Sequence, residues 1–289
     1  MRHSLLAITI ATVLAIAGCA SEPGLPYAVA PPPPPLEETA EAGAPHAVGT
    51  SAVAPVAGPA TSATGHSIAP HIAAAIADSH RPTAERARDV QRKPAEVLAF
   101  AGIAPGQRVA DLIPGGGYFT RLFAKAVGDG GKVYAVAPAN PDGNFMPEVL
   151  AVAADPAHTN IAVVRFDGPL ALPEPVDVIF TAQNYHDLHL PRLRLDVPAM
   201  NKAFFAALKP GGVLVVVDHS AIAGSGLDVP DVLHRIDESI VVREVTAAGF
   251  VLDGTSDVLR NPDDPRNVGV FDPAIRGNTD QFVLRFRKP

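Results

Sequence analysis

Between residues 109 and 218, apolar runs rich in β-branched residues alternate with segments whose apolar positions recur at helical spacing. No other feature limits the possible folds as much. The runs are Val109–Ile113, Lys132–Ala137, Asn160–Phe166, Val176–Thr181 and Val213–Asp218. They are nearly continuous in apolar residues, as parallel strands covered on both faces must be. Between them, Phe119, Leu122, Phe123 and Ala126 share one helical face, as do Val197, Met200, Phe204 and Leu208. Strand and helix in turn predict an α/β domain with a doubly wound, mostly parallel sheet. A helix over Ser239–Ala248, a strand near Phe250–Leu252 and a last strand Gln281–Arg287 bring the sheet to seven strands.

The chain of 289 residues is longer than that domain needs. Arg2 and His3 precede an apolar run from Leu5 to Ala17, the length of a signal-peptide core and short for a bilayer span. It ends in Ile16-Ala17-Gly18-Cys19, which resembles the lipobox of bacterial lipoproteins. Cys19 is the single cysteine, so no disulfide forms within the chain. The resemblance implies cleavage after residue 18, lipidation of Cys19 and a place in the cell envelope facing the periplasm. Ala20 in place of aspartate implies the outer membrane. From residue 19 to 67 the chain is Pro, Ala, Gly, Ser and Thr, with Pro31 to Pro35 consecutive and no apolar period. Such a segment cannot offset its own ordering entropy, and reads as a disordered tether.

Order is expected from Ile68, so residues 68–289 form one domain of about 220 residues. Pro94 suits the first turn of a helix whose inner face is Val97, Leu98 and Ala101, ended by Gly102. Just before it, Arg81, Arg86, Arg88, Arg92 and Lys93 make a basic stretch. It reads as a solvated helix face paired with Glu85 and Asp89, the alternative being a receiver for an anionic substrate or anionic lipid headgroups. The formal net charge of −7 excludes a protein that wraps a nucleic acid, which needs a basic face.

The first strand runs into Asp111-Leu112-Ile113-Pro114-Gly115-Gly116-Gly117-Tyr118-Phe119-Thr120, with a helix to follow. Glycines let a ligand approach the backbone closely, and the first N–H groups of the helix face it. No Lys-Ser or Lys-Thr follows the glycines, so this is not a P-loop.

Residues 109–120 resemble the first motif of the class I S-adenosylmethionine (SAM) dependent methyltransferases. The resemblance extends over about residues 92–289. Pro105-Gly106 precedes the first strand, Gly131-Lys132-Val133-Tyr134-Ala135-Val136 stands at the second, and Lys209-Pro210-Gly211-Gly212 precedes the fifth. Arg276-Gly277-Asn278-Thr279-Asp280 leads into the last, as in a group of exported bacterial proteins described as predicted methyltransferases. The resemblance implies a Rossmann-like methyltransferase fold with SAM as cofactor. Asp111, Gly115, Gly116, Gly117 and Tyr118 would then hold its methionine and ribose, and Asp167 its adenine. Two departures stand out. Ile113 occupies a glycine position, and Ala137 occupies the place of the acid that takes the ribose hydroxyls, with Asn140 as a partial substitute. Losing that charged acceptor costs about 1.5–3 kcal/mol of binding.

Two polar clusters fall at the carboxyl ends of strands, where open α/β sheets bind ligands. One is Gln183-Asn184-Tyr185-His186-Asp187-Leu188-His189, the other Asp218-His219-Ser220. Methyl transfer to oxygen or nitrogen asks for a base near neutrality and an aligned acceptor. His186 and His219 are the candidate bases, with Tyr185 and Asn184 to orient a small-molecule acceptor. Asp218, His234 and Arg235 complete the expected substrate side.

The expected activity is therefore SAM-dependent methyl transfer to a small acceptor by an envelope-anchored lipoprotein. SAM is made in the cytoplasm, which together with Ala137 keeps open a non-catalytic envelope binding protein on the same fold. A third alternative is a metal-dependent enzyme using His186, His189 and His219, with Asp187 and Asp218, to bind zinc or iron.

Overall fold

The computed structural model describes residues 68–138, 146–166 and 168–289. The signal segment, Cys19, the tether, Asn140 and Asp167 lie outside the described residues. No helix among the described residues is long and apolar enough to cross a membrane.

The domain opens with α1 (Pro70–Ile76), α2 (Thr83–Arg86), α3 (Asp89–Arg92) and α4 (Pro94–Ala101). Alternation then follows as β1 (Arg108–Leu112), α5 (Tyr118–Val127), β2 (Lys132–Pro138), α6 (Met146–Ala154), β3 (Ile161–Phe166), β4 (Val176–Ala182), α7 (Val197–Ala207) and β5 (Leu208–His219). The chain closes with α8 (Val229–Leu233), α9 (Glu238–Ala247), β6 (Val251–Ser256) and β7 (Gln281–Arg287). Local chemistry accounts for several boundaries. Pro94 begins α4, and Gly102 ends it in the left-handed conformation at φ 69°. Asp196 and Asp237 cap α7 and α9 by accepting from Ala199 N at 2.9 Å and Ser239 N at 2.8 Å.

The seven strands form one sheet in the order β3-β2-β1-β4-β5-β7-β6. The first five in this order are parallel to one another, and β7 runs antiparallel between β5 and β6. Strand order reverses between β1 and β4, which makes the crevice beyond their carboxyl ends the place for a ligand. Apolar packing covers both faces. On one, α1, α4 and α5 bring Ile72, Leu98, Leu122 and Phe123 against Val109, Val133 and Phe180. On the other, α7 and α9 set Met200, Phe204, Ile240 and Val241 against Ile179, Leu214 and Phe282. Burying each such side chain stabilises the fold by about 1.5–3 kcal/mol.

Candidate functional site

The strand-to-helix turn after β1 reverses direction through three left-handed residues, Ile113 (φ 51°), Gly115 (φ 54°) and Gly117 (φ 82°). At Gly117 a Cβ atom would stand 2.8 Å from Val152 Cγ2, so both conformation and space require glycine. Ile113 meets the same conformational demand with a β-branched side chain, at a cost of about 1–2 kcal/mol. Neighbours hold it there: its N–H donates to Val136 O at 2.8 Å, and its carbonyl accepts from Asn184 Nδ2 at 3.0 Å.

Beside this turn lies a cavity of about 250 Å³. Asp111, residues 113–116, Tyr118 and Phe119 form one wall, Glu85, Arg88 and Arg92 another, and Gln183 and Asn184 a third at the end of β4. Asp111 is 2% exposed and accepts from Thr120 Oγ1 at 2.6 Å. Burial pushes its carboxyl up to about 7, against the pull of Thr120 and Arg92. Burial, and then the charge of Arg88, bring the Arg92 guanidinium down to about 10.

The basic stretch before α4 is solvated only in part: Arg86, Arg88 and Lys93 are exposed, Arg92 is half-buried and Arg81 is buried on Asp89. Arg81 is 2% exposed and grips Asp89 through two nitrogens, at 2.6 and 2.8 Å. Asp89 also accepts from Tyr118 Oη at 2.5 Å, and the Tyr118 ring lies beneath the guanidinium groups of Arg81, Arg88 and Arg92. Glu85 pairs with Arg121 rather than with its own helix, and its Oε2 is buried with no hydrogen-bond partner among the described residues. Arg81, Glu85, Asp89 and Arg92 fold inward, and Glu85, Arg88 and Arg92 line the cavity beside the glycine turn, where a cationic wall meets two carboxylates.

A second cluster sits at the ends of β4 and β5. Asp218, fully buried, accepts from His186 Nδ1 at 2.8 Å and from the backbone N–H of His186 at 2.7 Å and His219 at 2.8 Å. Burial lowers the affinity of His186 for a proton, but the Asp218 carboxylate more than offsets it and holds the imidazole above its ordinary range. Asp218 itself is held below the usual carboxylate range, with the His186 contact outweighing desolvation. His186 Nε2 points towards Asp187 Oδ1, 3.5 Å away, and its ring meets His234 edge-on at 5.5 Å. His219 bonds Thr279 through Nδ1 at 2.7 Å and is pulled by burial down to about 4, so it is neutral. A hydrogen-bonded chain joins the two clusters: Arg92 to Gln183 at 2.8 Å, Gln183 to Gln281 at 3.1 Å, Gln281 to Thr279 at 3.3 Å.

The structure therefore gathers Asp111, Gly115, Gly116, Tyr118 and Asn184 around one cavity, with Gly117 completing its turn, and His186, Asp218, His219 and His234 in a neighbouring cluster. It places two expected site residues elsewhere. Tyr185 is 1% exposed within the core beneath α7 and α9, its hydroxyl accepting from Asn201 Nδ2 at 2.8 Å and donating to Glu244 at 3.1 Å. Arg235 is fully buried, with both terminal nitrogens on Asp264 at 2.8 and 3.0 Å and two further N–H donors on Ser220 O and Val268 O. Four of its five donors are engaged inside the protein, away from the cavity beside the glycine turn. The histidine set His186, His189 and His219 is not assembled either, since His189 turns to Glu244 at 3.1 Å and His219 to Thr279. At the end of β2, Ala137 is 1% exposed and Pro138 closes the strand, so the strand itself carries no acid for a ribose.

Glu85 was not among the expected site residues; Gln183 stood in the polar cluster after β4, and Arg88 and Arg92 in the basic stretch whose second reading was receipt of an anionic substrate. The density of arginine ahead of α4 does not say whether a short helix faces water or a cleft.

The sequence matches no protein-family model and no curated relative. Among solved structures, a SAM-dependent methyltransferase from Aquifex aeolicus superposes with a TM-score of 0.52 at 20% identity, over 70% of this chain and 93% of that one. A SAM-dependent methyltransferase from Mesorhizobium loti aligns with a TM-score of 0.47 at 17% identity, over 69% and 99%. The fold is the Rossmann-like fold of SAM-dependent methyltransferases.

Proposed function

We propose that the protein transfers the methyl group of SAM to a small acceptor, held by lipid on Cys19 at the outer membrane and facing the periplasm. The observation that carries the reading is the charge set of the cavity beside the glycine turn. The amino-acid end of SAM presents an ammonium and a carboxylate. Glu85 and Asp111 face Arg88 and Arg92 there, and the buried Oε2 of Glu85 is an acceptor that needs a donor. An arginine fork matches the carboxylate. The site thus fits the methionine half of SAM. At the ribose half Ala137 offers no charged acceptor, which weakens binding by about 1.5–3 kcal/mol relative to a site with one.

Bound SAM supplies an electrophilic methyl group on its sulfonium. The chain supplies alignment. Asn184 reaches from the end of β4 to Ile113 O and so ties the acceptor side to the cofactor side. His186, with Nδ1 committed to Asp218, presents Nε2 as the group that takes up the acceptor's proton.

Calorimetric titration of SAM and S-adenosylhomocysteine into the full chain tests the reading. Gly116→Leu is the control, because a Cβ there meets only the Glu148 side chain, at 3.1 Å, and the fold tolerates it. Saturable binding that Gly116→Leu abolishes is the expected result. No binding at millimolar ligand would overturn it and favour a binding protein without turnover, the reading to which Ala137 and Ile113 point.

A further inference from the structure

The geometry points to a site for a divalent transition metal ion at His186, Asp187 and His234. One ligand atom from each of these residues lies within 4.8 Å of the other two. This set keeps His186 and Asp187 from the metal alternative above, replaces His189 and His219 with His234, and does not depend on SAM binding.

The fold assembles the trio from distant parts of the chain. His186 and Asp187 open the 3₁₀ turn His186–His189 after β4. His234 arrives because residues 234–236 continue along β5, with Ile236 N donating to His219 O at 3.0 Å and Ala221 N to Ile236 O at 3.0 Å. His234 holds a left-handed backbone conformation at φ 54°, a strained state that places its ring edge-on to His186.

Three features suit a metal. Asp218 occupies His186 Nδ1, which fixes the ring and leaves Nε2 outward, the arrangement of a carboxylate behind a ligating histidine. His186 Nε2 and Asp187 Oδ1 stand 3.5 Å apart. Two ligands on a tetrahedral ion at ordinary bond lengths are about 3.4 Å apart. His234 makes no hydrogen bond through its ring nitrogens among the described residues, and it needs to close by little more than an ångström. Two imidazoles and one carboxylate select zinc, iron(II) or cobalt(II) over magnesium or calcium. Three protein ligands leave open coordination positions, as catalytic sites do. With an ion bound, Nε2 of His186 is no longer a proton acceptor. An acceptor hydroxyl or thiol on the open position would instead release its proton to solvent as it coordinates.

Cobalt(II) titrated into the full chain in detergent is the test, read by its d–d absorption. One equivalent should bind. Asp187→Asn keeps the side-chain shape, and His234→Asn removes the imidazole while tolerating the left-handed backbone at 234. Each should weaken binding by at least the about 10–100-fold that changes to outer-shell residues cost. His189→Ala should leave it unchanged. Absence of the band at excess cobalt, or a band indifferent to both asparagine variants in folded protein, would overturn the site. SAM titrated into the same samples separates this result from the methyltransferase reading, because neither variant touches the glycine-turn cavity.

Discussion

Asp218 accepts from His186 twice, from ring Nδ1 at 2.8 Å and from the backbone N–H at 2.7 Å. The strand end and the loop that follows β4 are thereby locked to one another through a fully buried carboxylate. Asp218→Asn turns one acceptor oxygen into a donor facing donors, and should cost about 3–5 kcal/mol of stability. The loss should vary with pH. His186 is raised, so its stabilising share is complete below its unfolded value of 6.5 and fades as pH climbs through the folded value. Asp218 is lowered, so its share is present above 3.8 and fades on acidification. Urea denaturation should show the largest deficit between about pH 4 and 6.5. A deficit constant from pH 5 to 9 would contradict the pairing.

Asp111 tells the opposite story. Its folded carboxyl keeps a proton up to about 7, whereas the unfolded one releases it near 3.8. Stability is therefore surrendered as pH rises between those values, by about 4 kcal/mol. Asp111→Asn escapes that loss. Relative to wild type, the variant should gain stability progressively from pH 4 to 7 and then hold the advantage, as denaturation at several pH values will show. SAM binding by the same variant should weaken, since the asparagine has no charge for an ammonium.

Ile113 pays for its left-handed backbone with strain, and glycine does not. Ile113→Gly forfeits a partly exposed side chain and adds chain entropy of about 0.5–1 kcal/mol, while relieving about 1–2 kcal/mol. The net change in unfolding free energy should fall within about 1 kcal/mol of zero. A loss as large as that of an ordinary core isoleucine, about 2–5 kcal/mol, would mean the turn is not strained.

Tyr185→Phe separates a packing role from a chemical one. Removing the hydroxyl strands Asn201 Nδ2, while Glu244 Oε2 keeps His189, and should destabilise by about 1–3 kcal/mol. SAM affinity in the folded variant should equal that of wild type. A variant of full stability that has lost turnover would place the hydroxyl at the reacting atoms instead.

The strands could be read from sequence because a strand buried on both faces leaves a nearly continuous apolar run, as at Val178–Phe180 in β4 and in the apolar half of β5. α6 escaped notice: Met146–Ala154 is apolar almost throughout and shows no polar face to set its period. α2 and α3, four residues each, are too short for periodicity to register. The glycine turn was visible as a motif, yet the partners that shape its cavity come from a region of arginines whose direction depends on where α2 and α3 dock. His186 and Asp218 could be suspected from their places at strand ends, while their pairing depends on the adjacency of β4 and β5. Tyr185 and Arg235 look chemical in sequence, but tertiary packing buries both and engages their polar groups inside the protein.

The antiparallel strand β7, residues 281–287, lies inside the sheet although it is the last element described. During synthesis every parallel strand emerges before it, so the β5 edge stands open with its ladder unfilled until the final stretch is available. An unpaired edge of that kind is prone to pair with another chain. Folding of this domain is consequently committed late, by a latch that slides between two strands already made. Removing residues 281–287 should therefore prevent the sheet from closing rather than trim its rim.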